Sequence, residues 1–120
     1  MRKEIYLEDM LLFLGQMMIQ YHIAPNSFLF TLTNIHGTEP TKFPNSQNTN
    51  YALYHNSGYG PTFGSGHDLH ICNNYLNEYS SYCALGNAYP DVLGRGNSVF
   101  SGDANNNNII IKELEVFRMK

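Results

Sequence analysis

A chain of 120 residues, 42% hydrophobic and carrying a net charge of −3 at pH 7, describes a single globular domain. A domain of this size buries somewhat under ~70% of its unfolded surface, so its core is thin. Charged residues make up only 14% of the chain and form no basic cluster, which excludes nucleic acid and an anionic membrane as partners. The longest apolar run, Met10 to Ile19, falls far short of the ~20 residues of a membrane span. Glu4, Glu8 and Asp9 break the pattern of a secretory signal. Two cysteines, Cys72 and Cys83, make no disulfide framework, and no Asn-x-Ser/Thr acceptor occurs. Both features point to an intracellular, cytoplasmic chain.

Taken in order, Lys3 to Gln20 holds good helix formers and Pro25 bars extension, which predicts an N-terminal helix. Phe28, Phe30 and Leu32 alternate with Leu29, Thr31 and Thr33, the period of a strand. Asn34 to Asn50, with Gly37, Pro40 and Pro44, reads as a loop. Tyr51 to Asn56 is a second strand, Gly58 to Gly66 a tight connection, and Asp68 to Cys72 a third strand. On that strand Leu69 and Ile71 share one face, and Asp68, His70 and Cys72 the other. Asn73 to Tyr89 is rich in polar residues and tyrosine and shows no clear period. Pro90 to Gly96 is a turn, Val99-Phe100 a short strand, and Asn105 to Asn108 a solvated loop, since Asn bonds locally and tolerates left-handed backbone. Ile109 to Met119 is the last strand. Ile110, Lys112, Leu114 and Val116 share one of its faces; Glu113 and Glu115 share the other with Ile109, Ile111 and Phe117. Short strands separated by turn signals predict a mainly β domain built from an antiparallel sheet or sandwich.

Several constellations invite chemistry. Gly58-x-Gly60-x-x-x-Gly64-x-Gly66 suggests a phosphate loop, but no Gly-Lys-Ser/Thr occurs and Phe63 stands where a dinucleotide fingerprint needs glycine. Glycine here serves tight backbone approach between strands. His67-Asp68-Leu69-His70 suggests a metal or general-base cluster. On a strand His67 and His70 point to opposite faces. The set sharing a face is Asp68, His70 and Cys72, a zinc-hydrolase candidate if Cys83 or His55 comes near. The simpler reading gives that face to solvent, with His67 bonded to turn backbone. No cysteine-hydrolase signature surrounds Cys72 or Cys83. Glu113 and Glu115 lie on one face as a catalytic carboxylate pair would, or as the charged edge that keeps a strand from aggregating. Tyr54, Tyr59, Tyr75, Tyr79, Tyr82 and Tyr89 form either a binding surface or sheet packing.

The ordered set of short motifs resembles one family, the TLDc domain. It comprises Ser27 to Asn34, His36-Gly37, Pro40 to Pro44, Tyr54 to Ile71, Ser80-Ser81-Tyr82, Leu85-Gly86, Tyr89 and Ile111 to Phe117. The resemblance runs from Ser27 to about Met119, and residues 1–26 have no counterpart in it. It implies residues 27–120 as the C-terminal part of such a domain, behind a helical leader of residues 1–26. The implied fold is an antiparallel β-sandwich with flanking short helices. The family-motif positions are Lys42, Tyr59, Gly60, Phe63, Gly64, Gly66, His67, Asp68, Tyr82, Gly86, Glu113 and Glu115, with structural or interaction roles. No established reaction belongs to the family, so the resemblance implies neither catalytic residue nor cofactor nor metal. It implies a protein-interaction domain linked to oxidation resistance and to binding the vacuolar proton pump, the V-ATPase. A sugar- or small-ligand-binding module and a zinc-dependent hydrolase stand beside it as alternatives. The loops Gly58 to Gly66 and Gly37 to Pro44, with Tyr59 and Lys42, are the first places to expect a contact surface.

Overall fold

A computed structural model describes residues 2–6, 20–47, 49–77 and 80–117, the first of these as backbone alone. Nine strands follow in order: β1 Arg2–Tyr6, β2 Gln20–His22, β3 Phe28–Thr31, β4 Thr41–Pro44, β5 Leu53–His55, β6 Thr62–Phe63, β7 Leu69–His70, β8 Tyr82–Cys83 and β9 Glu113–Phe117. A 3-10 turn at Thr49–Tyr51 and one short helix, α1 at Ser98–Ser101, complete the described elements. The domain is mainly β, as composition and punctuation predict.

The central sheet is antiparallel, in the order β2-β5-β6-β7-β8. Its register creates two rows of side chains. Leu53, Phe63, Leu69 and Cys83 stand opposite one another across four strands. They join Leu29, Phe43, Ile71, Val99, Phe100, Ile109 and Ile111 in one buried cluster. Thr62, His70 and Tyr82 form the adjacent row, and Tyr54 pairs with Tyr21 at the β5–β2 end. Successive strand residues face opposite ways, so the second row lies on the face turned away from the apolar row.

Two smaller ladders complete the layers. β3 and β4 form an antiparallel pair whose Leu29 and Phe43 stand opposite each other and enter the core. This second layer covers the inner face of the central sheet, because two-stranded ladders need such burial to persist. β1 and β9 pair in parallel from Arg2 opposite Glu113 to Tyr6 opposite Phe117.

Several local expectations are corrected. The N-terminal helix is not supported: Arg2–Tyr6 and Gln20–His22 are strands, held by ladder pairing with distant β9 and β5 that overrides local helix propensity. Residues 7–19, including the whole apolar run Met10 to Ile19, lie outside the described residues. The loop Asn34 to Asn50 contains β4, and the connection Gly58 to Gly66 contains β6. Both were masked by prolines and glycines that punctuate the strand ends rather than the strands. Val99-Phe100 is helical, closed by Gly102 at φ 75°, the left-handed cap that glycine favours. The last strand begins only at Glu113. Ahead of it Ile109 and Ile111 are buried while Ile110 is 62% exposed. A bend at Lys112 breaks the period, so Leu114 reaches the core from the phase opposite to theirs.

Candidate interaction site

Asp68 is fully buried, and its carboxylate is the centre of a backbone cradle. The N–H groups of Gly86, Asn87, Ala88 and Tyr89 all donate to it, at 2.8–3.1 Å. A buried charge persists only when its lone pairs are met in this way. Gly86, at φ 113°, lets the chain turn so that successive N–H groups converge on one point. Gly64, at φ 88°, backs the carboxylate, and a Cβ there would overlap Asp68. A Cβ at Gly60 would overlap the carbonyl of Ile71, and one at Gly66 the side chain of Asn87. The glycine loop thus lets backbone and carboxylate pack at contact distance. It forms no anion cradle of its own.

The zinc set therefore is not assembled. Asp68 turns into the cradle, away from His70. Cys72 is buried, its N–H donating to the Ser81 hydroxyl and its sulfur accepting from that same hydroxyl at 3.3 Å. Among the described residues no group of three His, Cys, Asp or Glu side chains converges on a metal position. The polar face expected to meet solvent is instead buried at Asp68, His70 and Cys72.

His67 and His70 do share a face, against expectation. His67 is the one described non-glycine residue at positive φ, 57°. That left-handed turn precedes β7 and swings its ring to the side of His70, with 5.8 Å between ring centroids. Its partner is the phenol of Tyr82, at 2.5 Å from Nδ1, not turn backbone. Tyr59 packs against both imidazoles, at 5.5 Å from His67 and 4.8 Å from His70. Tyr54 joins Tyr59 at 5.4 Å and Tyr21 at 4.9 Å, and Tyr21 meets Tyr51 edge-on at 5.1 Å. The result is a continuous aromatic face across the central sheet. It is half-buried at Tyr54, Tyr59 and Tyr82 and opens to solvent at Tyr21 and Tyr51, 37% and 43% exposed.

Hydrogen bonding and burial fix the electrical state of this face. The Thr62 hydroxyl donates to the Gly60 carbonyl at 3.0 Å, so it accepts from His70 Nδ1 at 2.8 Å. His70 is thereby the tautomer with its proton on Nδ1. Burial lowers its pKa to about 4, assisted by the neighbouring His67. Burial also lowers His67, although the adjacent Asp68 charge pulls the other way. Tyr82 is raised, first by burial and then by Tyr59. Both imidazoles and the phenol are neutral near pH 7.

The remaining motif positions lie elsewhere. Phe63 is core, edge-to-face with Tyr89 at 6.5 Å. Lys42 is exposed on β4, its Nζ 4.3 Å from the centroid of Phe28, apart from the aromatic face. Glu113 and Glu115 lie on β9 beside β1. Of the six tyrosines singled out in the sequence, Tyr54, Tyr59 and Tyr82 form the face. Tyr75 packs against the core, and Tyr79 lies outside the described residues. Tyr89 is fully buried, its hydroxyl donating to the Ala52 carbonyl at 2.9 Å. Tyr21, Tyr51 and His70 complete the face. Tyr21 directly follows the stretch Lys3 to Gln20 that reads as a helix, and joins through its pairing with Tyr54. Tyr51 joins from the 3-10 turn, and His70, a metal candidate in the sequence, joins through its pairing with Thr62.

A mainly β domain with a carboxylate-pinned glycine loop and an aromatic outer row defines the class. A family model for the TLDc domain matches residues 18–120, and the chain belongs to that family. The match begins ahead of Ser27 and takes in β2, whose Tyr21 is part of the aromatic face. Searches of curated proteins and of solved structures return no match.

Proposed function

We propose that this domain is a non-enzymatic, intracellular protein-interaction module. It binds the soluble sector of the vacuolar proton pump, contributes to resistance against oxidative damage, and uses its tyrosine–histidine face as the contact surface. Membership of the TLDc family over residues 18–120 is the observation that carries this reading. Tyr54, Tyr59, Tyr21 and Tyr51 support the choice of surface, since tyrosine couples apolar area to a hydroxyl and is enriched where proteins meet. The face lies around the end of the loop Gly58 to Gly66. Lys42 belongs to a separate ladder and contributes at most a peripheral contact. The glycine loop and Asp68 hold this surface in place, and the other family-motif positions keep structural roles.

The test is co-purification of the pump's soluble sector with the tagged full chain, alongside Tyr59→Ala. Capture by the parent and loss in the variant support the reading. If the pump is not retained, and deletion of the gene leaves peroxide survival unchanged, the reading fails.

A further inference from the structure

The shortest polar contact of the aromatic face joins Tyr82 to His67 Nδ1, and the tyrosine hydroxyl makes no other hydrogen bond among the described residues. A hydroxyl carries one proton, and an imidazole nitrogen without a proton accepts it. From the Tyr82 ring the aromatic contacts continue without a break. They pass to His70 at 5.1 Å, Tyr59 at 4.8 Å, Tyr54 at 5.4 Å, Tyr21 at 4.9 Å and the exposed Tyr51 at 5.1 Å. We infer that Tyr82 is a site of one-electron oxidation, with His67 as its proton acceptor and the neighbouring tyrosines as a relay to the surface. This inference does not rest on pump binding.

The step balances as follows. A one-electron oxidant, such as a peroxide-derived radical or a high-valent metal complex, removes an electron from the Tyr82 phenol. The O–H bond breaks and its proton passes to His67 Nδ1, leaving a neutral tyrosyl radical beside an imidazolium. The proton moves because an oxidised phenol is a far stronger acid than any imidazolium. Without an acceptor the charged phenol radical would have to persist in a half-buried site, where charge is disfavoured. A second tyrosine then refills the hole. Its electron passes to Tyr82, whose oxygen recovers the proton from His67. The donor tyrosine releases its own phenolic proton to solvent and becomes the radical. Burial keeps His67 neutral near pH 7. The step requires the tautomer with its proton on Nε2, in which Nδ1 accepts from the Tyr82 hydroxyl. His70 cannot take this role through Nδ1, because its proton already points to Thr62.

The test uses the full chain with photogenerated tris(bipyridyl)ruthenium(III) as oxidant, and freeze-quench electron paramagnetic resonance as readout. Tyr82→Phe and His67→Gln are each expected to lose the early tyrosyl signal severalfold. Tyr75→Phe, a tyrosine packed against the core outside the face, is expected to retain it. An undiminished signal in Tyr82→Phe overturns the site. Loss in Tyr82→Phe with none in His67→Gln overturns the proton acceptor. The parent alone supplies a check that needs no variant. Oxidation slows in deuterated water if proton and electron move together, and equal rates in the two solvents overturn the pair. For the relay, joint Tyr21→Phe and Tyr51→Phe substitution should abolish dityrosine cross-linking between chains. Unchanged cross-linking overturns that part.

Discussion

His67 and Asp68 are neighbours in the chain and opposites in chemistry. Asp68 is charged and fully buried, and four backbone N–H groups hold its carboxylate. His67 is half-buried and neutral, and its ring lies on the aromatic face with one phenol for a partner. One faces the loop at Gly86–Tyr89 and fixes the fold. The other faces Tyr59 and Tyr82 and is available for function. The difference teaches that a polar residue in a motif is structural when its hydrogen-bonding capacity is met from within, and a functional candidate when part of it points outward.

That contrast can be broken in graded steps. The largest effect belongs to Asp68→Ala. It removes the carboxylate from four backbone N–H groups. Gly86 keeps the Tyr89 carbonyl at 3.0 Å, and the other three lose an acceptor worth ~1–3 kcal/mol each. A loss of ~3 kcal/mol or more is a large share of the ~5–15 kcal/mol that holds a typical domain. Urea denaturation should show a much lower midpoint or no cooperative transition; a near-parental midpoint would mean that the cradle does not matter. Gly64→Ala comes next. Left-handed backbone alone costs an alanine ~1–2 kcal/mol, and overlap with the Asp68 carboxylate adds to it. The same substitution at Gly94, also at positive φ but with open space around it, should cost only the backbone part. Comparing the two thermal midpoints isolates the carboxylate contact.

Acid should act on the histidine side. The pKa values of His70 and His55 are lowered from 6.5 to about 4, chiefly by burial. The native state therefore binds fewer protons than the unfolded chain below pH 6.5. Stability from this source is complete above that pH and is lost as pH falls toward 4. The urea midpoint should be flat above pH 7 and drop between pH 6.5 and 4, with a shallower drop in His70→Asn. A flat profile to pH 4 would contradict burial of the neutral rings. Tyr59→Ala should sharpen the comparison from the other direction. Capture of the pump's soluble sector should weaken by ~2 kcal/mol, the scale of an interface hot spot, with near-parental circular dichroism. Lys42→Ala should be the smallest change, within ~0.5–1 kcal/mol of stability, because its contact with Phe28 is an exposed cation–π pair.

Much of this was legible in the residues. The β class follows from alternation at Phe28–Thr31 and from the glycine and proline punctuation, and the family follows from ordered motifs between Ser27 and Phe117. The structural use of Gly60 and Gly64 follows from glycine's missing side chain. What stayed hidden depends on partners far away in the chain. Nothing local marks Arg2–Tyr6 as a strand, because its ladder partner is β9 at the other end of the chain. Period-two reasoning separated His67 from His70, and one left-handed residue reunited them. Asp68 looks like a ligand because its hydrogen-bond donors, the N–H groups from Gly86 to Tyr89, lie about twenty residues downstream.

The sequence by itself determined the class of the domain, its family, and which positions need glycine, because these depend on local backbone freedom and on period. Only the tertiary structure decided which polar side chains turn inward and which form the aromatic face. That choice depends on long-range register, and a single row of cross-strand pairs places Tyr82, His70 and Thr62 side by side.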